Sequence, residues 1–214
     1  MAGGGRYLRA SWWKYLVFPL LLSLVWPYFF SLKDRPKENE DLQIFLSARK
    51  ITGDGPLPAA KEALKKKGIL SIRTYCIEPS QSLYSAILES QGLRGSDVLL
   101  LTEGDLKTYG PGNWFLPLSE EIIPSWSTEW ETFEEEGVGA IGICVRPGEG
   151  GNSPFDLSWV DWGSEEEPIY LCVNARLPNA GKGGQKAKEE DDEAIDLCNA
   201  ILEYGHAREG EEEK

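Results

Sequence analysis

The side chains that most often carry catalysis are scarce in this 214-residue sequence. The single histidine, His206, lies beyond the last helical pattern beside an acidic tail, where an imidazole would be solvated rather than oriented. Paired carboxylates can hydrolyse glycosides, but no pair among the 35 acidic residues stands in a special sequence environment. We therefore predict that the chain is not an enzyme and has neither a metal site nor a cofactor.

The cysteines form no C-x-x-C pair and have no histidine at zinc-ligand spacing. They are Cys76, Cys144, Cys172 and Cys198. Their neighbours are mostly apolar, which is typical of strand interiors, and an unpaired cysteine packs as a small hydrophobic residue. Buried free thiols are the simpler interpretation, and one or two disulfides in an oxidising compartment are the alternative.

Tryptophans could supply a binding surface instead. The part of the chain after residue 33 contains five tryptophans, Trp114, Trp126, Trp130, Trp159 and Trp162. An indole can anchor a core or a loop, and it can also stack on a sugar or contact a partner protein. A G-x-G-x-x-G match at 137–142 follows an acidic segment and precedes a strand pattern, so it does not predict a dinucleotide site. Close packing beside a strand explains those glycines better.

An uncharged apolar run of 18 residues, 15–32, has aromatic side chains at both ends. As a helix it would span roughly 27 Å, close to the ~30 Å hydrocarbon core of a bilayer. The run is longer than the core of a signal peptide and ends in bulky residues. We predict an uncleaved transmembrane helix that makes the lipid bilayer a partner of the chain.

The charges around this segment predict its orientation. Residues 1–14 carry only basic charges, so the positive-inside rule predicts a cytoplasmic N-terminus and a single-pass protein of the cell membrane. Residues 33–41 are then a linker, 42–206 an extracytoplasmic domain, and 207–214 a disordered acidic tail. The formal net charge of −13 would repel phosphates, so no nucleic-acid partner is expected.

Strand and helix patterns alternate along the domain. Strands are predicted at 42–48, 69–77, 97–102, 137–145 and 168–174, and helices at 59–67, 82–91, 129–136 and 189–204. In the second helix we expect Leu83 and Ile87, with Tyr84 and Leu88, to face inward. The β-α-β-α-β order predicts an α/β domain with a doubly wound, mostly parallel sheet.

Several segments carry a resemblance to a known family. They are LQIFLSA at 42–48, ILSIRTYCI at 69–77, SDVLLLTEGDL at 96–106, FLPL at 115–118, GAIGICV at 139–145 and PIYLCVN at 168–174. In this order they resemble one lobe of an extracellular, periplasmic-type solute-binding protein, the receptor of an ABC importer. The resemblance implies one lobe of a type II periplasmic-binding-protein-like fold, in a single-lobe, membrane-anchored variant.

The resemblance also implies where a ligand would bind, because ligands of such sheets meet the carboxyl ends of the strands. The candidate ligand-binding residues are Ser47, Arg49, Thr102, Glu103, Trp114, Trp159 and Trp162. One hypothesis is a tethered domain that binds a small solute, such as a sugar or peptide, for the permease of an ABC importer. The other is a non-catalytic interaction module that docks on a transporter or another envelope protein.

Overall fold

The computed structural model describes residues 40–118, 130–148, 155, 157–163, 167–186, 188 and 192–212, with Val17, Pro19, Leu20 and Ser23. The chain divides into two compact units, Met1–Lys37 and Glu38–Lys214. In the first unit the four described residues are helical. The remainder of the predicted membrane segment 15–32 lies outside the described residues. Among those described, no helix is both long and apolar enough to cross a bilayer.

The second unit is built on a six-stranded mixed sheet. Its strands, with those of a small ribbon, are β1 (Asp41–Leu46), β2 (Lys50–Ile51), β3 (Ser71–Cys76), β4 (Val98–Thr102), β5 (Thr132–Glu135), β6 (Gly139–Arg146), β7 (Val160–Asp161) and β8 (Ile169–Val173). The large sheet has the order β3-β1-β4-β8-β6-β5, and β2 pairs with β7 in the antiparallel ribbon.

Only half of the large sheet is parallel, so the prediction of a mostly parallel sheet is wrong for the other half. Strand β1 runs parallel to β3 and β4. Strand β8 is antiparallel to both β4 and β6, and β5 is antiparallel to β6. A parallel connection needs a crossover, usually a helix, and the described part of 147–168 contains only β7. Strand β8 therefore starts at the edge where β6 ends and runs back.

Helices cover both faces of the sheet, as a doubly wound α/β domain requires. They are α1 (Leu57–Lys65), α2 (Tyr84–Ile87), which continues as a π-helix (Leu88–Leu93), α3 (Glu103–Tyr109) and α4 (Glu193–Glu212), with 3₁₀ turns at Gly110–Gly112 and Pro178–Gly183. Helices α1 and α4 pack on one face, against Ile44 and Leu100. Helices α2 and α3 pack on the other face, against Phe45 and Leu99.

Three local predictions need correction. The segment 129–136, predicted as a helix, contains strand β5, because Phe133 packs edge-to-face on Tyr170 with ring centroids 5.6 Å apart. Gly137 then turns the chain into β6 with a φ of +80° that favours glycine. Leu83, predicted to face inward, is 65% exposed because it precedes α2 instead of lying within it. Helix α4 continues to Glu212, into the predicted disordered segment 207–214.

The cysteines are free thiols, and the simpler interpretation of buried thiols is confirmed for three of the four. Cys144, Cys172 and Cys198 are buried, whereas Cys76 is half-buried with its thiol 3.1 Å from the carbonyl oxygen of Ala48. Burial raises the pKa of the Cys144 thiol to about 11 and that of Cys198 to about 12. Protonated, enclosed thiols react slowly, because the thiolate is the nucleophile.

We expect a thiol-reactive dye to label four thiols per chain in denaturant without any reducing agent, and to label Cys76 first in the native protein. A Cys76→Ser variant should lose the fastest phase and keep the three slow ones. The measurement is labelling followed over time by mass spectrometry. Fewer than four thiols in denaturant would show that a disulfide had formed instead.

Candidate functional site

The order of the parallel strands creates a crevice at one edge of the sheet. From β1 the chain continues to β3 on one side, and then returns to β4 on the other side. The connections therefore diverge between β1 and β4, and α/β sheets bind ligands outside the carboxyl ends of strands at such a switch point. Ser47 directly follows β1 and Thr102 ends β4, so both lie at this position. We call this side of the sheet the carboxyl edge.

A cavity of about 150 Å³ opens at the carboxyl edge. It is lined by Ser47 after β1, Glu78, Pro79 and Ser80 after β3, Thr102 of β4, Arg146 of β6, Trp162 after β7, and Glu167 and Ile169 at the start of β8. The sheet register explains the convergence, since Ile169 pairs with both Thr102 and Arg146. Strands from both halves of the mixed sheet thus contribute to one pocket.

Behind the pocket, three buried or half-buried side chains share hydrogen bonds. The Ser47 hydroxyl lies 2.6 Å from the phenol oxygen of Tyr84, and Tyr84 donates to Oδ2 of Asp105. Ser47 Oγ is also 3.5 Å from the same carboxylate oxygen. Tyr84 reaches this point from α2, and its ring packs beside Phe45 with centroids 6.5 Å apart. Residues from β1, α2 and α3 are therefore joined directly beneath the pocket wall.

Asp105 has this position because it also caps α3. The Thr102 hydroxyl accepts a hydrogen bond from the Asp105 amide at 3.2 Å, and the Asp105 carboxylate accepts from the Thr102 amide at 3.2 Å. This is the reciprocal arrangement of a capping box, which satisfies N–H groups that a helix start leaves without partners. One short sequence, Thr-Glu-Gly-Asp, thus ends a strand, begins a helix and places a carboxylate behind the pocket.

The environment alters the acidity of this group of side chains. Burial raises the pKa of Tyr84 well above its ordinary value of 10, and the adjacent Asp105 charge raises it further. Burial also raises the pKa of Asp105, while hydrogen bonds from Tyr84 and Thr102 oppose that rise. The phenol consequently keeps its proton at neutral pH and remains a donor to the carboxyl group.

Arg146 supplies a guanidinium group to the pocket lining. Arg146 donates from Nη2 to the carbonyl oxygen of Glu167 at 2.7 Å, across the ends of β6 and β8. The Arg146 guanidinium carbon lies 5.4 Å from the centroid of the Trp162 ring, within the range of a cation–π contact. Trp162 is held there by the ribbon, in which Arg49 N donates to Asp161 O at 2.9 Å.

Glu78 connects the pocket to the ribbon. Its carboxylate accepts from Arg49 Nη2 at 3.3 Å. A Cβ atom at Gly163 would lie 2.7 Å from Glu78 Oε1, and Gly163 has a φ of +79°. The positive φ favours glycine at this turn, and an added side chain would also displace the end of the Glu78 side chain.

The structure brings together three of the candidate residues named from the sequence. Ser47, Thr102 and Trp162 line the pocket, and Arg49 touches its rim through Glu78. Glu103 is close in sequence, but its carboxylate pairs with Lys107 at 2.7 Å along α3. Direct ligand contact by these residues stays a prediction.

The two remaining tryptophans lie elsewhere. Trp159 is 4% exposed and belongs to the core, where its ring covers Gly55. Trp114 lies near the end of β8, at the edge opposite the pocket, because the adjoining Phe115 bridges to Asn174. There the Arg176 guanidinium carbon stacks 3.7 Å from the Trp114 ring centroid. Neither indole is part of the pocket.

Several lining residues were not found from the sequence, namely Glu78, Pro79, Ser80, Arg146, Glu167 and Ile169. Arg146 carried a usable signal, since it follows an apolar strand and such ends gather at one edge. The capping pattern Thr102-x-x-Asp105 also carried a signal for a helix start. Within the described ranges, no three His, Cys, Asp or Glu side chains are grouped so as to hold a metal ion.

Comparisons with known proteins add a fold likeness. No family model and no curated protein matches the sequence. Among solved structures, the chain is similar to an ABC transporter substrate-binding protein from Bradyrhizobium japonicum USDA 110, with 12% identity, a TM-score of 0.38, and coverage of 75% of this chain and 77% of that one. It is also similar to the Atu4243-GABA receptor, with 16% identity, a TM-score of 0.26, and coverage of 50% and 31% respectively. Neither likeness identifies a ligand for this chain.

Proposed function

We propose that the domain binds a small polar solute in the pocket at the carboxyl edge. The observation that carries this proposal is the position of the pocket at the switch point between β1 and β4. Strand ends supply hydroxyl, carboxylate and guanidinium groups there, beside the indole of Trp162. A few convergent polar groups on a partly apolar concave surface are the usual composition of a solute site.

The size of the pocket restricts the solute. Its volume of about 150 Å³ is below the ~300–1,000 Å³ of sites for drug-sized ligands. It matches an engineered cavity of about 150 Å³ that holds benzene, a ring of six carbons. We therefore propose a solute of roughly six to ten non-hydrogen atoms. A pentose or a small amino acid fits this range, whereas a hexose is slightly larger and a peptide would extend outside the pocket.

We further propose that the domain is non-catalytic and that it presents the solute to the permease of an importer. Ser47 has Tyr84 and Asp105 as hydrogen-bond partners, and a serine nucleophile normally requires a histidine or lysine base. In this proposal residues 15–32 tether the domain to the cell membrane with the domain outside. Protease added to intact cells should then remove the domain, and leave it intact if the domain is cytoplasmic.

Solute binding is expected to change the fluorescence of Trp162. In the full chain, a bound solute should shift the emission, and Trp162→Phe should abolish most of that shift. Trp114→Phe is the matched control, because that indole stacks on Arg176 at the opposite edge and should leave the shift unchanged. Isothermal titration calorimetry of both variants separates loss of the reporter from loss of binding.

The screening set consists of single amino acids, monosaccharides and small amines at millimolar concentration. Binding that survives in Trp162→Phe but disappears in Ser47→Ala would still support the pocket, since Ser47 also lines it. A shift lost in Trp114→Phe instead would move the site to the other edge. No response from any member would contradict the proposal and favour the docking module.

A further inference from the structure

The hydroxyl groups behind the pocket have a fixed direction of donation. Tyr84 donates its single proton to Asp105 Oδ2. The Thr102 hydroxyl donates to the same oxygen at 3.0 Å while it accepts from the Asp105 amide. A hydroxyl has one proton and two lone pairs, so neither group has a proton left for a molecule in the pocket.

The Ser47 hydroxyl also donates its proton away from the pocket. Its oxygen has two neighbours in this group, Tyr84 Oη at 2.6 Å and Asp105 Oδ2 at 3.5 Å. Because the tyrosine proton is already donated to Asp105, the serine proton must point to the phenol oxygen or to the carboxylate. Both destinations lie behind the wall. The raised pKa of Tyr84 agrees with a phenol that keeps its proton. Ser47 therefore presents lone pairs to the pocket.

The charged residues of the lining also offer hydrogen-bond acceptors to a solute. Glu78 and Glu167 are acceptors when ionised, but the Glu78 carboxylate is already paired with Arg49 Nη2 at 3.3 Å. Arg146 already donates to the Glu167 carbonyl oxygen and lies against the Trp162 ring. Among the described lining residues, the Ser47 hydroxyl and the Glu167 carboxylate thus remain as acceptors, while the Arg146 guanidinium is engaged by its own wall. A solute that supplies protons and positive charge complements this lining.

We infer that the pocket is selective for a small primary ammonium cation. The inference rests on the proposed function and names the class of its solute. An ammonium group supplies three N–H donors, which can meet the Ser47 lone pairs and the Glu167 carboxylate together. An alcohol of the same shape supplies one donor and no charge. A carboxylate supplies none and is repelled by Glu167.

A matched set of probes tests the inference: n-butylamine, n-butanol and butyrate, which differ almost only in the polar end. Each is titrated into the full chain by calorimetry at neutral pH and low ionic strength. We expect n-butylamine to bind about tenfold more tightly than n-butanol, and butyrate not to bind measurably. High salt should weaken the binding of the amine more than that of the alcohol.

Two variants and one control test whether the lining residues cause the selectivity for the amine. Glu167→Gln and Ser47→Ala should each reduce the affinity for n-butylamine about threefold to tenfold, with little change for n-butanol. Glu62→Gln is the control, because that carboxylate is exposed on α1 and does not line the pocket. It should leave the affinities for n-butylamine and n-butanol unchanged. Circular dichroism confirms that each variant is folded.

The possible outcomes separate this inference from the proposed function. Tighter binding of the amine that depends on Glu167 and Ser47 supports both. Equal or tighter binding of n-butanol or butyrate, still sensitive to Trp162→Phe, overturns the selectivity and leaves a solute pocket. Absence of binding by all three probes overturns the ammonium inference, and the wider solute screen then decides the proposed function.

Discussion

Replacing Asp105 by alanine is expected to lower the free energy of unfolding by about 2–4 kcal/mol. The substitution removes the acceptor used by the Thr102 amide and hydroxyl at the start of α3. It also leaves the phenol proton of Tyr84 without its carboxylate partner in a largely buried position. Loss of a helix cap costs about 1 kcal/mol, and an unsatisfied buried donor costs about 1–3 kcal/mol. Urea unfolding of the variant and the parent chain measures the difference.

Asp105→Asn is the matched comparison for this prediction. An amide oxygen can replace Oδ2 as the acceptor for Tyr84 and Thr102, so the loss should be less than half that of the alanine variant. Tyr84→Phe removes the donor instead and should cost about 1 kcal/mol, since Asp105 keeps its hydrogen bonds from Thr102. Equal stabilities for all three variants would show that Asp105 does not organise this side of the domain.

A second large effect is expected from pH, through a carboxyl group at the other edge of the sheet. Asp97 is 4% exposed, and burial raises its pKa from 3.8 to about 7, against the opposing hydrogen bonds from the Gln43 amide and Asn179. Between those two values the folded chain holds a proton that the unfolded chain has lost. The contribution of Asp97 to stability is therefore full below pH 4 and is lost as pH rises through 7. The size of the loss is about 4 kcal/mol, at about 1.4 kcal/mol for each pKa unit.

The test compares urea unfolding at pH 5 and pH 8 for the parent chain and Asp97→Asn. The amide cannot ionise, so the variant should lose less stability than the parent between the two pH values. The substitution should also lower the free energy of unfolding by the same amount at both pH values. The reason is that the side-chain NH2 group of asparagine then faces a hydrogen-bond donor. Asp54→Asn removes the same charge from an exposed loop and controls for general repulsion. Parallel profiles for the parent and Asp97→Asn would contradict the raised pKa.

Asp97 belongs to a network at the edge opposite the pocket, where β1 and β4 begin and β8 ends. Its carboxylate accepts from the backbone N–H of Gln43 at 2.9 Å and from Asn179 Nδ2 at 3.0 Å. Gln43 also donates to Ser96 Oγ at 2.9 Å, and Asn174 donates to the Leu93 carbonyl at 2.8 Å. Buried polar groups must be satisfied in this way, so these residues fix the register of β1, β4 and β8. The two edges of one sheet thus have different tasks, stability at one and the pocket at the other.

The positions of the main strands could be predicted from the sequence because buried strands appear as short apolar runs. The runs at 42–48, 97–102 and 168–174 correspond to β1, β4 and β8. Strand direction could not be predicted, since a run that is buried on both faces has the same composition whether its neighbour is parallel or antiparallel. Strand β5 was missed for a related reason. Its acidic residues carry no strand alternation, and the contact of Phe133 with Tyr170 determines its conformation.

Ser47 and Thr102 could be identified in advance because each stands at the visible end of an apolar strand. Trp162 and Trp159 could not be told apart, since both occur in one loop three positions from each other. The ribbon of β2 and β7 decides between them. It binds the Trp159 carbonyl to Thr52 N at 2.8 Å and leaves Trp162 beside Arg146. A two-residue strand pairing has no periodicity from which it could be inferred.

The sequence by itself determined the α/β class, the main buried strands and two hydroxyl residues of the pocket, because burial and strand ends leave local patterns in composition. Only the tertiary structure decided the antiparallel half of the sheet and the meeting of Glu78, Arg146, Trp162 and Glu167 around one cavity. Those residues are far apart in the chain, and their proximity depends on strand order and register. Both are properties of pairing between segments, which no single segment encodes.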